Sequence, residues 1–72
     1  MKDVTNKFSV RLKQLRQEHK LSLEQLAKAI GVSTMAISRW ENETRIPNIE
    51  ALILLANYFC VSSDYILGIE EE

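Results

Sequence analysis

The sequence predicts an all-α chain of five short helices and no strand. Three observations carry this. Phe8, Leu12 and Leu15 recur at the three- and four-residue spacing of one helix face. A unit of apolar residue, Ser, and a second apolar residue four positions after the Ser occurs three times, as Leu21–Ser22–Leu26, Val32–Ser33–Ile37 and Val61–Ser62–Ile66. Each unit places an N-cap and the staple that fixes the chain's entry into a helix. Finally, 46% of the 72 residues are apolar, enough for one small core but close to the lower limit for a domain without staples.

The first helix runs from about Asn6 to Glu18 on the Phe8 stripe. Ser22, with Gln25 as capping-box partner, opens the second, from about Leu23 to Ile30, and Gly31 is placed to end it in a left-handed turn. Ser33 starts a third helix at Thr34. Pro47–Asn48 opens a fourth, Ile49 to about Phe59, with Asn48 as cap. Ile49, Leu52, Leu55, Ala56 and Phe59 suffice as its inward face. The unit at Val61 and Ser62 gives a short fifth helix. No repeat, low-complexity tract or flexible linker interrupts the chain.

Composition excludes several classes. Cys60 stands alone, so no internal disulfide or cysteine metal cluster can form, and a reducing cytoplasm is the natural compartment. The first twenty residues are polar and contain no signal-peptide-like apolar run, and the longest apolar run, 51–56, is far too short for a bilayer. The net charge of −1 argues against a nucleic-acid partner, but its distribution argues the other way. Residues 1–45 hold all nine bases against five acids, while residues 46–72 hold five acids and no base. Such a polar molecule can offer a basic face to phosphate, although short chains also divide their charges this way by chance.

The tightest joint is between the second and third helices, where only Gly31, Val32 and Ser33 intervene. Ala27, small enough for close approach, stands four residues before Gly31, and Ile37 six after it. This is the pattern of a helix-turn-helix, with a generic helical hairpin as the plainer alternative. In the third helix Val32, Ile37 and Trp40 form the inward stripe. Thr34, Met35, Ser38, Arg39 and Asn42 share the outward side, which has one charge and is no ordinary solvent face.

The stretch SLEQLAKAIGVSTMAISRWENE, with RLKQLRQEHKLS before it and IPNIEALILLANYF and VSSDYILG after it, resembles the Cro/C1 repressor-like helix-turn-helix family, also called the xenobiotic-response-element family. The resemblance covers residues 8–68, with the motif at about 22–42 and terminal extensions at 1–7 and 69–72. It implies a compact five-helix lambda-repressor-like domain. It further implies a sequence-specific regulator of transcription, a repressor, binding a double-stranded DNA operator through the major groove with helix 34–42. One departure stands out: the family commonly has Gly where Glu43 follows Asn42, so either Asn42 takes the left-handed conformation or the turn differs.

The resemblance places Thr34, Met35, Ser38 and Arg39 against the bases. Arg39 can bond guanine O6 and N7 with its planar fork, and Met35 can pack on a thymine methyl. Simple solvation is the plainer reading for Thr34 and Ser38. Gln25, Ser33, Asn42 and Arg45 match phosphate-contacting positions, Gln25 with its capping role in competition. Lys7, Arg11 and Lys28 are weaker phosphate candidates. Leu23 stands where relatives often have a polar phosphate-binding residue, a bond that it cannot make. Arg16 and Glu41 match a structural ion pair between the first and third helices.

The rest of the chain offers no chemistry of its own. Trp40 reads as core, His19 as a helix-terminal residue with a mild dipole benefit, and Cys60 as a small buried hydrophobe. Without a nucleophile–base pair, phosphate loop or metal cluster, the sequence predicts no catalytic residue, no metal and no cofactor. Ile53, Leu54, Tyr58, Tyr65, Ile66 and Ile69 form a candidate apolar patch for a homodimer, the plainer reading being that some of them cover the fifth helix. Two other function classes stay open: an antitoxin-like module whose apolar surface binds a protein partner while the motif autoregulates, and a structural helical module. The basic first half disfavours the latter.

Overall fold

The computed structural model describes residues 4–69, with side chains from Lys7 onward. The helices follow in the order α1 (Val4–Glu18), α2 (Leu23–Ile30), α3 (Thr34–Glu41), α4 (Ile49–Phe59) and α5 (Ser63–Ile66), with no strand among the described residues. The expected starts of α2, α3 and α4 hold, whereas α1 begins two residues before Asn6. The acidic tail at Glu70, Glu71 and Glu72 lies outside the described residues.

Each helix after α1 begins on a side chain that satisfies a backbone N–H the helix cannot pair for itself. Ser22 Oγ accepts from Gln25 N at 3.0 Å, and Gln25 Oε1 returns an acceptor to Ser22 N at 2.8 Å, completing the capping box. Ser33 accepts from Ala36 N, Asn48 from Ala51 N and Ser62 from Tyr65 N, at 2.8–3.1 Å.

The helices also end alike. Each is followed within two residues by one left-handed residue: Lys20, Gly31, Glu43, Cys60 and Gly68, with φ between 57° and 82°. The next residue's N–H then bonds a carbonyl five positions back: Leu21 to Arg16, Val32 to Ala27, Thr44 to Arg39, Val61 to Ala56 and Ile69 to Asp64, all at 2.9–3.1 Å. This is the long bond of a Schellman ending, which satisfies orphan carbonyls and turns the chain sharply. In three joints the apolar residue after the left-handed one is also the residue before the next N-cap. One short unit therefore ends a helix and begins another. Glu43, and not Asn42 (φ −99°), takes the left-handed conformation after α3.

All five helices contribute to one core. Phe8 and Leu12 from α1, Leu26 from α2, Ile37 from α3, Leu55 from α4 and Ile66 from α5 are fully buried. Burial of Ile66 corrects its assignment to an exposed dimer patch: it is the residue by which α5 closes the core. Ile49, expected inward, is 76% exposed. It lies on the same side of α4 as Ala56 but in the first turn, where nothing among the described residues covers it. Cys60, expected buried, is exposed, because it is the left-handed residue of its joint and Val61 takes the inward place. His19 does more than meet a helix end: its Nδ1 lies 2.9 Å from Leu15 O and its ring stands edge-on to Phe59 at 4.9 Å.

Non-glycine residues in the left-handed region are strained by about 1 kcal/mol. Lys20→Gly and Cys60→Gly are therefore expected each to stabilise the fold by about 1 kcal/mol in denaturant melts. Gly31→Ala should destabilise it by about as much, through conformation alone, since an added Cβ there meets nothing within 4 Å. Destabilisation by both glycine variants would show that the joints are not strained.

Candidate nucleic-acid interface

The site begins with what holds α3 from behind. Ile37 is fully buried and Trp40 nearly so, fixing which face of the helix turns inward. Two polar bonds then set its last turn. Ser9, buried in α1, donates from Oγ to the Trp40 carbonyl at 2.6 Å. Arg16 meets the Glu41 carboxylate with a two-pronged fork, Nε to Oε2 at 2.6 Å and Nη2 to Oε1 at 3.0 Å. Its third prong, Nη1, donates to Leu21 O at 2.8 Å, so one guanidinium ties together α1, α3 and the α1–α2 joint. The two side chains are only 14% and 8% exposed. The hydrogen bond to Glu41 raises the Arg16 guanidinium above its ordinary value, outweighing the opposing effect of burial. A cation raised in the fold stabilises fully at every pH below its ordinary value, so Arg16 supports the pair across the physiological range.

With its back fixed, α3 presents a defined front. Thr34, Met35 and Arg39 are exposed and Ser38 is half-buried, all on the side away from Ile37 and Trp40. Met35 is 60% exposed, a large apolar side chain that the fold itself does not use. The first turn of α3 carries no acid, so the positive end of its dipole is not neutralised locally. Ser33 caps that end, and Gln25 lies in the first turn of α2 with its Oε1 engaged in the capping box. Asn42 and Arg45 are exposed just beyond the other end of α3. A groove of about 430 Å³ passes Arg39 and Arg45, walled by Trp40, Ile46 and Leu54.

Other candidates are differently placed. Arg11 is engaged elsewhere: its guanidinium lies 4.0 Å over the Tyr65 ring and donates to Tyr65 O at 3.1 Å, clamping α5 to α1. Tyr65 is correspondingly half-buried against the core. Ile53, Leu54, Tyr58 and Ile69 are exposed, as are Ile46 and Ile49, which the sequence-based patch omitted. The α4 surface is thus more apolar than expected, and it begins beside the groove that holds Arg39. Ser9 was also missed. Its signal was a Ser one residue after Phe8 on the inward side of α1.

A helix set by a sharp Gly turn against its predecessor, pinned behind by buried contacts and bearing a mixed polar face in front, has the arrangement of a helix-turn-helix. The chain matches the helix-turn-helix family over residues 12–66 and belongs to that family, in its Cro/C1 type. It is 44% identical over 65 residues to YobD of Bacillus subtilis, an uncharacterized HTH-type transcriptional regulator, covering 90% of this chain and 58% of that protein. It is 42% identical over 64 residues to BcrR of Enterococcus faecalis, an HTH-type transcriptional activator, covering 89% of this chain and 31% of BcrR. The chain thus spans less than two thirds of either relative. Its fold matches the P22 c2 repressor protein of Salmonella phage P22, crystallised with a synthetic operator, with a TM-score of 0.82 and 35% identity. That match covers 88% of this chain and 96% of the other.

Removing one partner of the Arg16–Glu41 pair leaves the other charged in a mostly buried place. Glu41→Ala is therefore expected to cost on the order of 3 kcal/mol, a large share of the stability of so small a domain. The double change Arg16→Met/Glu41→Leu should recover most of it in the same denaturant melts. A Glu41→Ala melt equal to wild type would show that the pair does not hold α3.

Proposed function

We propose that residues 8–68 form the DNA-binding unit of a transcriptional repressor that reads an operator by laying α3 in the major groove. The observation that carries this is the front of α3, where Thr34, Met35, Ser38 and Arg39 project from a backbone fixed on its other side. Arg39 reads guanine through a paired hydrogen bond, and Met35 packs on a thymine methyl. Ser33, Asn42 and Arg45 contact phosphates at the two ends of α3, with Gln25 contributing from the start of α2. Repression follows from the likeness to the P22 c2 repressor, and a promoter reporter separates it from activation, the role in BcrR's name. The work needs no catalytic residue or cofactor, and its setting is the cytoplasm.

Binding should be specific, with the logarithm of affinity falling against log salt by about 0.9 per neutralised phosphate. On a duplex selected from a random pool, Arg39→Ala is expected to cost about 1–3 kcal/mol and relax the base preference at one position. Arg45→Ala should weaken all duplexes alike. An Arg39→Ala protein that selects the wild-type sequence with wild-type affinity would remove Arg39 from the reading role.

One such domain covers about half of a typical operator, and a homodimer reads the whole. The exposed apolar face of α4, at Ile49, Ile53, Leu54 and Tyr58, with Ile69 nearby in sequence to α5, supports pairing there. A symmetric pair would set two recognition helices about 34 Å apart on half-sites about 10 base pairs apart. In the second reading the same face receives a different protein, as in an antitoxin-like module. Sedimentation of the free protein is expected to give a dimer that Leu54→Glu dissociates. A monomer at high concentration, especially one that co-purifies with another protein, would favour the second reading.

A further inference from the structure

Four of the five helix endings follow one rule: the residue after the left-handed position is apolar, as Leu21, Val32, Val61 and Ile69. The ending of α3 breaks it with Thr44. The backbone role is kept, since Thr44 N donates to Arg39 O at 3.0 Å like its counterparts. Its side chain does something the others cannot. Thr44 Oγ1 lies 2.7 Å from Asn42 Oδ1, its closest acceptor, with Arg39 O farther off at 3.2 Å. Thr44 N reaches the same Asn42 Oδ1 at 3.2 Å.

Two donors therefore converge on one atom of the Asn42 side chain. A backbone N–H can only donate, so the amide atom facing it must be the oxygen, because the flipped amide would oppose N–H to N–H. The carboxamide is held with its oxygen on Thr44, which leaves its NH₂ group as the end that can donate to a partner. A phosphate oxygen can only accept. An amide free to rotate presents the wrong end part of the time and loses side-chain entropy on binding. One fixed in advance meets phosphate with its donors and loses less.

We propose that Thr44 is a positioning residue for DNA binding, fixing the Asn42 carboxamide as a donor toward the phosphate backbone beside the recognition helix. This rests on the operator-reading function proposed above. Thr44 touches no base, so its effect is on affinity and register and leaves sequence preference unchanged.

The test measures fluorescence-anisotropy titrations of a selected duplex and an unrelated duplex with Thr44→Val, Thr44→Ser, Asn42→Ala and Thr44→Val/Asn42→Ala. Thr44→Val keeps the shape and the backbone N–H but removes the hydroxyl donor. It should weaken both duplexes by a similar factor, about fivefold, while Thr44→Ser binds like wild type. On the Asn42→Ala background, Thr44→Val should have no further effect, because nothing is left to position. Side-chain amide resonances of Asn42 in the free protein supply an independent readout: sharp and distinct in wild type and Thr44→Ser, averaged in Thr44→Val. Wild-type binding with an unaffected Thr44→Val, or a Thr44→Val loss that persists at full size without Asn42, would overturn the positioning role alone. A wild type with no affinity for any duplex would overturn the DNA-reading function and this role with it.

Discussion

The side of α3 that meets solvent is decided by what grips the side that does not. Arg16 is the centre of that grip. Its guanidinium uses three donors on two carboxylate oxygens and one carbonyl, spanning two helices and a joint in one planar group. A lysine could not reproduce this, since the fork geometry is what makes the contact both two-pronged and directional. Ser9 adds a second buried bond one residue away, at the Trp40 carbonyl. Apolar packing of Ile37 and Trp40 fixes the depth of α3 against the core, and these polar bonds fix its rotation and its end. A buried pair of this kind contributes little net stability over a well-packed apolar substitute. Its value here is geometric: the outward side chains are held in one orientation before any partner arrives.

The joints supply the other half of the geometry. Eight-residue helices such as α2 and α3 are too short to be stable alone, so their ends matter as much as their middles. A left-handed residue, an apolar residue and a capping Ser turn the chain in three positions and leave few orphan groups at either end. Glycine would occupy the left-handed position at least strain, yet Lys20, Glu43 and Cys60 occupy three of the five. Their tolerance shows that the flanking bonds and packing outweigh about 1 kcal/mol of backbone strain at each.

Much of this was legible in the sequence, for local reasons. The Ser caps, the Gln25 capping box, Gly31 and the Asn48 cap are short-range signals, and the helices they bound appeared where expected. The ion pair of Arg16 and Glu41 was legible only through family resemblance, because nothing in the spacing of 16 and 41 brings them together. The misreadings share a cause. Residue type and helical period do not decide the burial of Ile49, Cys60 and Ile66, which depends on how far each helix end extends past its neighbours. Lys20 and Cys60 carry no glycine signal, so their left-handed turns were hidden. Ser9 and Thr44 were passed over as small polar residues, although each stands where the surrounding pattern calls for an apolar one.

The central claim is that α3 is a reading head set before contact. An NMR titration of the labelled protein with its selected duplex tests it most directly. Shift changes should concentrate at 33–35, 38, 39 and 42–45 and at the start of α2. The side-chain resonance of the Arg16 Nε–H should be slowly exchanging in the free protein and unmoved on binding. Changes centred on α4 and α5, or an Arg16 resonance that appears only in the complex, would contradict the account.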